Sequence, residues 1–304
     1  MTDAWLEGLA VGHAHCPEAR TGVTVILPDR PAVMAVDVRG GGPGTRETDA
    51  LSPENLVERA HALVLAGGSV FGLAAADEVA LALARQGRGL ALGEGAAALH
   101  VPVVPAAILF DLLNGGDKAF ARAEGPEPPY RRLARAALVA AGPEPAIGRV
   151  GAGFGATAGS RPGGFGWASA PLDAGGQVVA LVAVNSFGEV CAGAPPDAGP
   201  VPMPKGRPMA ALEAGAAPAN TTLAVVATDR PLTRAAARRL ALMAHDGLAR
   251  AIRPIHTPFD GDTVFALSTA AETPAAVPPV LVAELGTRAA DCLARAIRRA
   301  VGEA

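Results

Sequence analysis

The apolar residues of this chain fall into short β-like runs and a few helical stripes, punctuated by glycine and proline. TGVTVILP (21–28) and PAVMAVDVRG (31–40) are β-branched runs on either side of Asp29-Arg30, a pattern that predicts a hairpin. Ser52-Pro53-Glu54 offers a cap, a proline for the first helical position and a first-turn acid. A helix is therefore expected from there to about Ala66, where Gly67-Gly68 stops it. A second helix fits 70–85, with Leu73, Ala76, Ala80, Leu83 and Ala84 on one face. A proline-punctuated stretch covers 100–112, and EGPEPPYRRL leads into a helix over about 129–141. Two adjacent strands are expected near 164–170 and at 177–184.

Residues 192–220 lack a convincing period and are rich in Pro, Gly and Ala, which predicts a flexible connector. The remainder is regular. TTLAVVATD (221–229) reads as a strand. Thr233 caps a long helix with Leu240, Met243, Ala244, Leu248 and Ile252 on its buried side. TVFALST (263–269) is another strand, and 286–301 a terminal helix. This strand–helix–strand–helix unit must pair with the earlier sheet. There is no internal repeat.

Composition narrows the picture. The 304 residues are half hydrophobic and 18% charged, enough for a globular core. Glycine (37) and proline (27) make up about one residue in five, which points to many turns. The net charge of −3 and the lack of a basic tract argue against nucleic acid or an anionic membrane as partner. Cys16, Cys191 and Cys292 are odd in number and far apart, so neither a disulfide framework nor a zinc cluster is expected. The start MTDAWLEGLAVGHAHC lacks the pattern of a signal peptide, and no apolar run approaches a membrane span. A cytoplasmic location is the expectation.

Four constellations could carry chemistry. Asn220-Thr221-Thr222 stands where the connector meets a hydrophobic strand. A threonine hydroxyl needs an adjacent base, and one solution makes the residue N-terminal, so that its own α-amine takes the proton. An internal threonine gets there only if the preceding bond is cut; from spacing alone, a Thr pair that merely starts a strand is the simpler reading. Asp260-Gly261-Asp262 places two carboxylates close enough that one pKa should rise, or else forms an Asp-Gly turn. Asn185 ends a buried strand, where its amide can face an oxyanion or simply turn the chain. The fourth is the pair of glycine-rich loops, of which GGSVFG (67–72) puts free N–H groups at a helix start. VGAGFGA (150–156) is a weak dinucleotide-loop match without a supporting acid. The six histidines show no metal spacing. His245 is placed on a helix face and His256 in a loop, neither with a catalytic role.

Taken together, VGHAH, TGVTVILP, AVDVRGGGPGTRETD, LAGGSVFGL, VPAAILFDL, VGAGFGATAG, VAVNSFG, NTTLAVVATD and HTPFDGDTVFAL resemble, in order and over most of the chain, a self-processing family. It comprises L-aminopeptidase/D-esterases, β-peptidyl aminopeptidases and nylon-oligomer hydrolases. The resemblance implies a single-domain αββα sandwich of the N-terminal-nucleophile type, cut between Asn220 and Thr221 into a larger chain of residues 1–220 and a smaller one of 221–304. Thr221 would be nucleophile and amine base, Asp260 and Asp262 would hold and activate it, and Asn185 would lie at the substrate carbonyl. Gly67, Gly68, Ser69, Phe110 and Arg161 would border the substrate and oxyanion region, with GGSVFG mainly a tight junction. Phe110 stands where nylon-oligomer hydrolases carry tyrosine, and Ser160-Arg161-Pro162 where they carry lysine. Arginine supplies charge there but does not deprotonate. The implied activity is hydrolysis of amide bonds in small amino-acid amides, peptides or ω-amino oligomers, without cofactor or metal, in a ring-like or tetrameric homo-oligomer. Two rivals remain open: acyl transfer of the ornithine acetyltransferase type, and a processed scaffold with weak turnover.

Overall fold

The computed structural model describes residues 3–95, 98–193 and 220–302. Two sheets stack face to face, and helices cover both outer faces. The first sheet runs, in spatial order, through Leu9–Cys16, Thr21–Pro28, Leu63–Ala66, Ala106–Ile108 and Gly44–Arg46. The second runs through Gly164–Pro171, Gln177–Asn185, Thr221–Thr228, Thr263–Ser268, Ala32–Val38 and Arg59–Ala60. Helices Ala74–Arg85 and Tyr130–Val139 lie on the first sheet, and Arg234–Ala251 and Pro279–Ala300 on the second. The expected αββα layering is therefore present.

Strand parity explains the layering. Side chains alternate across a strand, so a strand buried on both faces reads as a continuous apolar run. In Thr221–Thr228, Leu223, Val225 and Ala227 enter the core between the sheets, while Ala224 and Val226 enter the core under the outer helices. In Gln177–Asn185, Val179, Leu181 and Ala183 face inward and Val178, Ala180, Val182 and Val184 face the helices. The two strands are antiparallel, with Asn185 opposite Thr221. Parity thus sends both side chains to the inter-sheet face at one end of the sheet.

The abundance of glycine and alanine has a packing cause. Helix Pro279–Ala300 lies so close to the strand at Gly164–Pro171 that a Cβ on Gly166 would stand 2.1 Å from the Ala296 carbonyl oxygen. Only small residues permit that approach, and Ala289, Ala296 and Ala300 supply them from the helix side.

Several elements match the sequence reading. The strands expected at 164–170, 177–184, 221–229 and 263–269 are present. Thr233 caps its helix by accepting the Ala236 N–H. The terminal helix starts earlier than expected, with proline at its first position. The expected connector over 192–220 lies, apart from its ends, outside the described residues.

Two expectations are corrected. The 21–28 and 31–40 strands do not form a hairpin. The first pairs with Leu9–Cys16, from Leu9 opposite Pro28 to Cys16 opposite Thr21. The second pairs with Thr263–Ser268 in the other sheet. The chain changes sheets at Asp29–Pro31, because both runs are buried and long-range burial, not the intervening dipeptide, selects their partners. Nor does a helix span 53–66. Residues 52–58 turn, and Leu63–Ala66 is a buried strand between Thr21–Pro28 and Ala106–Ile108. A short apolar run does not distinguish buried strand from buried helix, and Leu56, apolar in the expected helix, is exposed.

Candidate active site

Thr221, at the first position of its strand, is 2% exposed, and Asn220 before it is buried as well. The Thr221 hydroxyl donates to the Asn220 carbonyl oxygen, so the candidate nucleophile sits against the bond it would cut. The same oxygen accepts the Gly261 N–H at 3.1 Å. The Asn220 amide donates to the Asn185 carbonyl at 3.3 Å and fastens the residue to the neighbouring strand.

The turn Asp260-Gly261-Asp262 precedes the parallel strand Thr263–Ser268, which holds it beside Thr221. Both carboxylates are buried. Asp260 accepts the Phe187 N–H at 3.0 Å on one oxygen; on the other it accepts the Thr257 N–H at 3.1 Å and hydroxyl at 2.5 Å. Asp262 accepts the Thr222 N–H at 2.7 Å on one oxygen and bonds His256 through the other. Neither bonds the Thr221 hydroxyl. They clamp the segments after Asn185 and after Thr221, and so aim the Gly261 N–H between them. A Cβ at position 261 would lie 2.6 Å from the Thr221 hydroxyl oxygen and 2.7 Å from the Gly42 carbonyl.

Asn185 is held by its own amide. Its oxygen accepts the Thr157 N–H at 2.8 Å, and its nitrogen donates to the Phe110 carbonyl at 2.9 Å. A primary amide has two hydrogens, and the Phe110 carbonyl takes one of them. Phe110 thus joins the site through its backbone. Arg161 is exposed on the second strand of a short ribbon, paired with Ala158 beside Thr157. Gly67, Gly68 and Ser69 form the junction after Leu63–Ala66. Gly67 donates to the Gly22 carbonyl, Ser69 to the Leu109 carbonyl, and Gly68 to Asp111 at 2.8 Å.

Sequence reasoning missed three participants: the Gly261 N–H, which no side chain advertises; Asp111, which anchors the Gly68 junction; and His256, six residues before Asp262. The faint signals were the glycine between two acids and the acid directly after Phe110.

Burial pushes the Asp260 carboxyl up to about 6, and the Asp262 charge adds to the shift. Burial likewise raises Asp111 to about 6, against the pull of Lys118 and the Gly68 N–H. The ordinary value is 3.8, so between about pH 4 and 6 the folded chain binds more protons at these positions than the unfolded one. Their contribution to stability falls as pH rises through that window. Unfolding free energies of wild type and Asp260→Asn, taken from urea titrations at pH 4 to 7, are expected to shift in relative terms toward the variant by about 1–3 kcal/mol as pH rises. A constant difference would contradict the assignment.

Sequence comparison matches the model of peptidase family S58 over residues 1–304. The chain belongs to that family. It is 45% identical over 322 residues to a Mycobacterium tuberculosis protein named an uncharacterized aminopeptidase, covering 95% of this chain and 90% of that protein. It is 30% identical over 284 residues to the 6-aminohexanoate-oligomer endohydrolase of Paenarthrobacter ureafaciens, covering 86% of this chain and 73% of the other. Among solved structures, a Burkholderia sp. beta-aminopeptidase superposes with a TM-score of 0.71 at 23% identity, covering 97% of this chain and 84% of that one. The L-aminopeptidase D-Ala-esterase/amidase of Ochrobactrum anthropi, described as a variant of the Ntn hydrolase fold, gives 0.71 at 21%, covering 99% and 87%. The fold is thus of the Ntn hydrolase type, and this S58 member is a hydrolase. Among the described residues no helix is long and apolar enough to cross a membrane, and no group of three or more His, Cys, Asp or Glu side chains could hold a metal ion.

Proposed function

We propose that this S58 protein cuts its own Asn220–Thr221 bond and then hydrolyses amide bonds with Thr221 as an N-terminal nucleophile. The supporting observation is the convergence of two groups on one carbonyl: the Thr221 hydroxyl and the Gly261 N–H both meet the Asn220 oxygen. In the first reaction Oγ1 attacks the Asn220 carbonyl carbon. Charge develops on the oxygen, where the Gly261 N–H stabilises it. The C–N bond breaks as its nitrogen takes the hydroxyl proton, which leaves an ester. Water then hydrolyses the ester, giving chains 1–220 and 221–304. In the second reaction the freed α-amine, with a reference pKa near 7.7–8.0, accepts the hydroxyl proton and passes it to the leaving amine. The substrate carbonyl takes the place of Asn220, between Gly261 and the second amide hydrogen of Asn185.

Substrates are small amides or peptides with a free amino end, or ω-amino oligomers; the relatives named aminopeptidase and 6-aminohexanoate-oligomer endohydrolase support this range. The test is product analysis on amino-acid amides, β-peptides and 6-aminohexanoate oligomers, with and without glutamate as acceptor. Release of free acid in both conditions is expected. Acyl-glutamate as the main product would make the chain a transferase, and self-cleavage without any turnover would leave it a scaffold.

A further inference from the structure

We infer that His256 is a positioning residue for the Thr221 nucleophile, acting through Asp262; this rests on the proposed role of Thr221. The segment from His256 to Asp262 closes on itself. One oxygen of Asp262 accepts both the backbone N–H of His256 at 3.0 Å and its ring Nδ1 at 2.8 Å. Against a carboxylate, which only accepts, Nδ1 carries the proton. The other oxygen accepts the N–H of Thr222, the residue after the nucleophile. The Asp262 side chain is fully buried and the His256 side chain 20% exposed. The carboxylate is therefore a two-ended brace. One end sets the start of the nucleophile strand, and the other is set by a histidine ring.

The ring is itself supported from the outer layer. His245, on helix Arg234–Ala251, meets it edge-on with centroids 4.8 Å apart. The Nε2 of His245 lies 3.2 Å from the backbone carbonyl and from a carboxylate oxygen of Asp37. Asp37 sits on the helix-facing side of its strand and is ion-paired at 2.8 Å with both Arg39 and Arg238. Contacts thus run from the half-exposed Arg238 through buried Asp37 and His245 to His256, Asp262 and the backbone of Thr222. Loss of the Nδ1–H bond leaves one oxygen of a buried carboxylate short of a charge-assisted partner. The carboxylate then rotates, and Thr222 and Thr221 follow. Attack geometry is sensitive to such movement, with about 1 Å costing on the order of 10²-fold in rate.

His256 has a φ of +56°, which shapes the test. Asparagine tolerates this conformation and places its amide nitrogen where Nδ1 stands. Glycine relieves the backbone but removes the bond. Glutamine carries its amide one bond farther out. Self-cleavage of freshly translated chains is timed for wild type, His256→Asn, His256→Gly and His256→Gln, with Thr221→Ala beside them. The Asn variant is expected within about 3-fold of wild type, and the Gly and Gln variants about 10–100-fold slower. If the Gly variant does not fold, the contrast between Asn and Gln carries the test. Gln as fast as Asn, Asn as slow as Gly, or Gly at the wild-type rate overturns the positioning role. Wild type that divides while Gly matches it removes this role alone. Wild type that never divides, or a Thr221→Ala chain that does, removes the Thr221 reading and this one with it.

Discussion

Replacing Thr221 with alanine is expected to leave one polypeptide where the wild-type chain yields two. The substitution is conservative in every respect but the hydroxyl. Position 221 faces the inter-sheet core at the start of a buried strand, and alanine fits there without strain. The hydrogen bonds that hold the position come from its neighbours: the Asn220 side chain to the Asn185 carbonyl, the Gly261 N–H to the Asn220 carbonyl, and the Thr222 N–H to Asp262. None needs Oγ1. What disappears is the atom that attacks the Asn220 carbonyl and, after cleavage, the atom that attacks substrate. Mass measurement under denaturing conditions should show full-length chain for the variant and, for wild type, fragments divided between residues 220 and 221. Turnover of any amide should fall by about 10⁶-fold, the scale for removing a nucleophile outright. Thr221→Ser keeps the hydroxyl and should still divide. Fragments from the alanine variant, or a stable full-length wild type, would contradict the proposed chemistry.

The sequence carried the identity of the site better than its construction. NTTLAVVATD and DGDTVFAL are local signals: a strand start and a turn-to-strand junction, each readable from a few residues, and the structure puts them side by side through one parallel pairing. Asn185 was legible for the same reason, as the polar end of a run buried on both faces. The relation between these segments was less visible, because it depends on which strand pairs with which. The 21–28 and 31–40 runs look alike locally and belong to different sheets. LVLA (63–66) is apolar throughout, so its period does not say strand or helix. His256 escaped notice because its role lies in the single contact to Asp262, which spacing alone does not specify. The Gly261 N–H left no trace in side-chain chemistry at all. The roles given to the paired acids also take a different form in the structure. The resemblance implies that they hold and activate the nucleophile; in the structure Asp262 binds the N–H of Thr222 directly after it, while Asp260 binds the N–H groups of Phe187 and Thr257.

That last point makes Gly261 the sharper target. Gly261→Ala should fold and yet cut itself about 10²–10³-fold more slowly than wild type, the range measured when an oxyanion donor is lost. Glycine here is not required by its dihedral angles, since Gly261 lies outside the left-handed region. Alanine is therefore not excluded by backbone conformation, and the penalty is one of space. Its Cβ would fall 2.6 Å from the Thr221 oxygen, 2.7 Å from the Gly42 carbonyl and 3.1 Å from Pro43. The Gly42 and Pro43 contacts are backbone and do not yield easily, whereas the Thr221 contact is its side-chain hydroxyl, the one group at these points that is free to turn away. Asp260 and Asp262 pin the turn at two further points. The added methyl must therefore push the hydroxyl off the Asn220 carbonyl, lengthen the 3.1 Å bond from the Gly261 N–H, or both. Each outcome acts on the same reacting atoms. Overpacking of this kind costs about 1–3 kcal/mol in stability, visible as a lowered melting temperature without loss of the helical circular dichroism signal. Timed gel analysis of newly made protein measures the rate. Division of the alanine variant at the wild-type rate would contradict the geometry assigned here, in which a methyl at position 261 must displace the Thr221 hydroxyl or the 261 N–H from the Asn220 carbonyl.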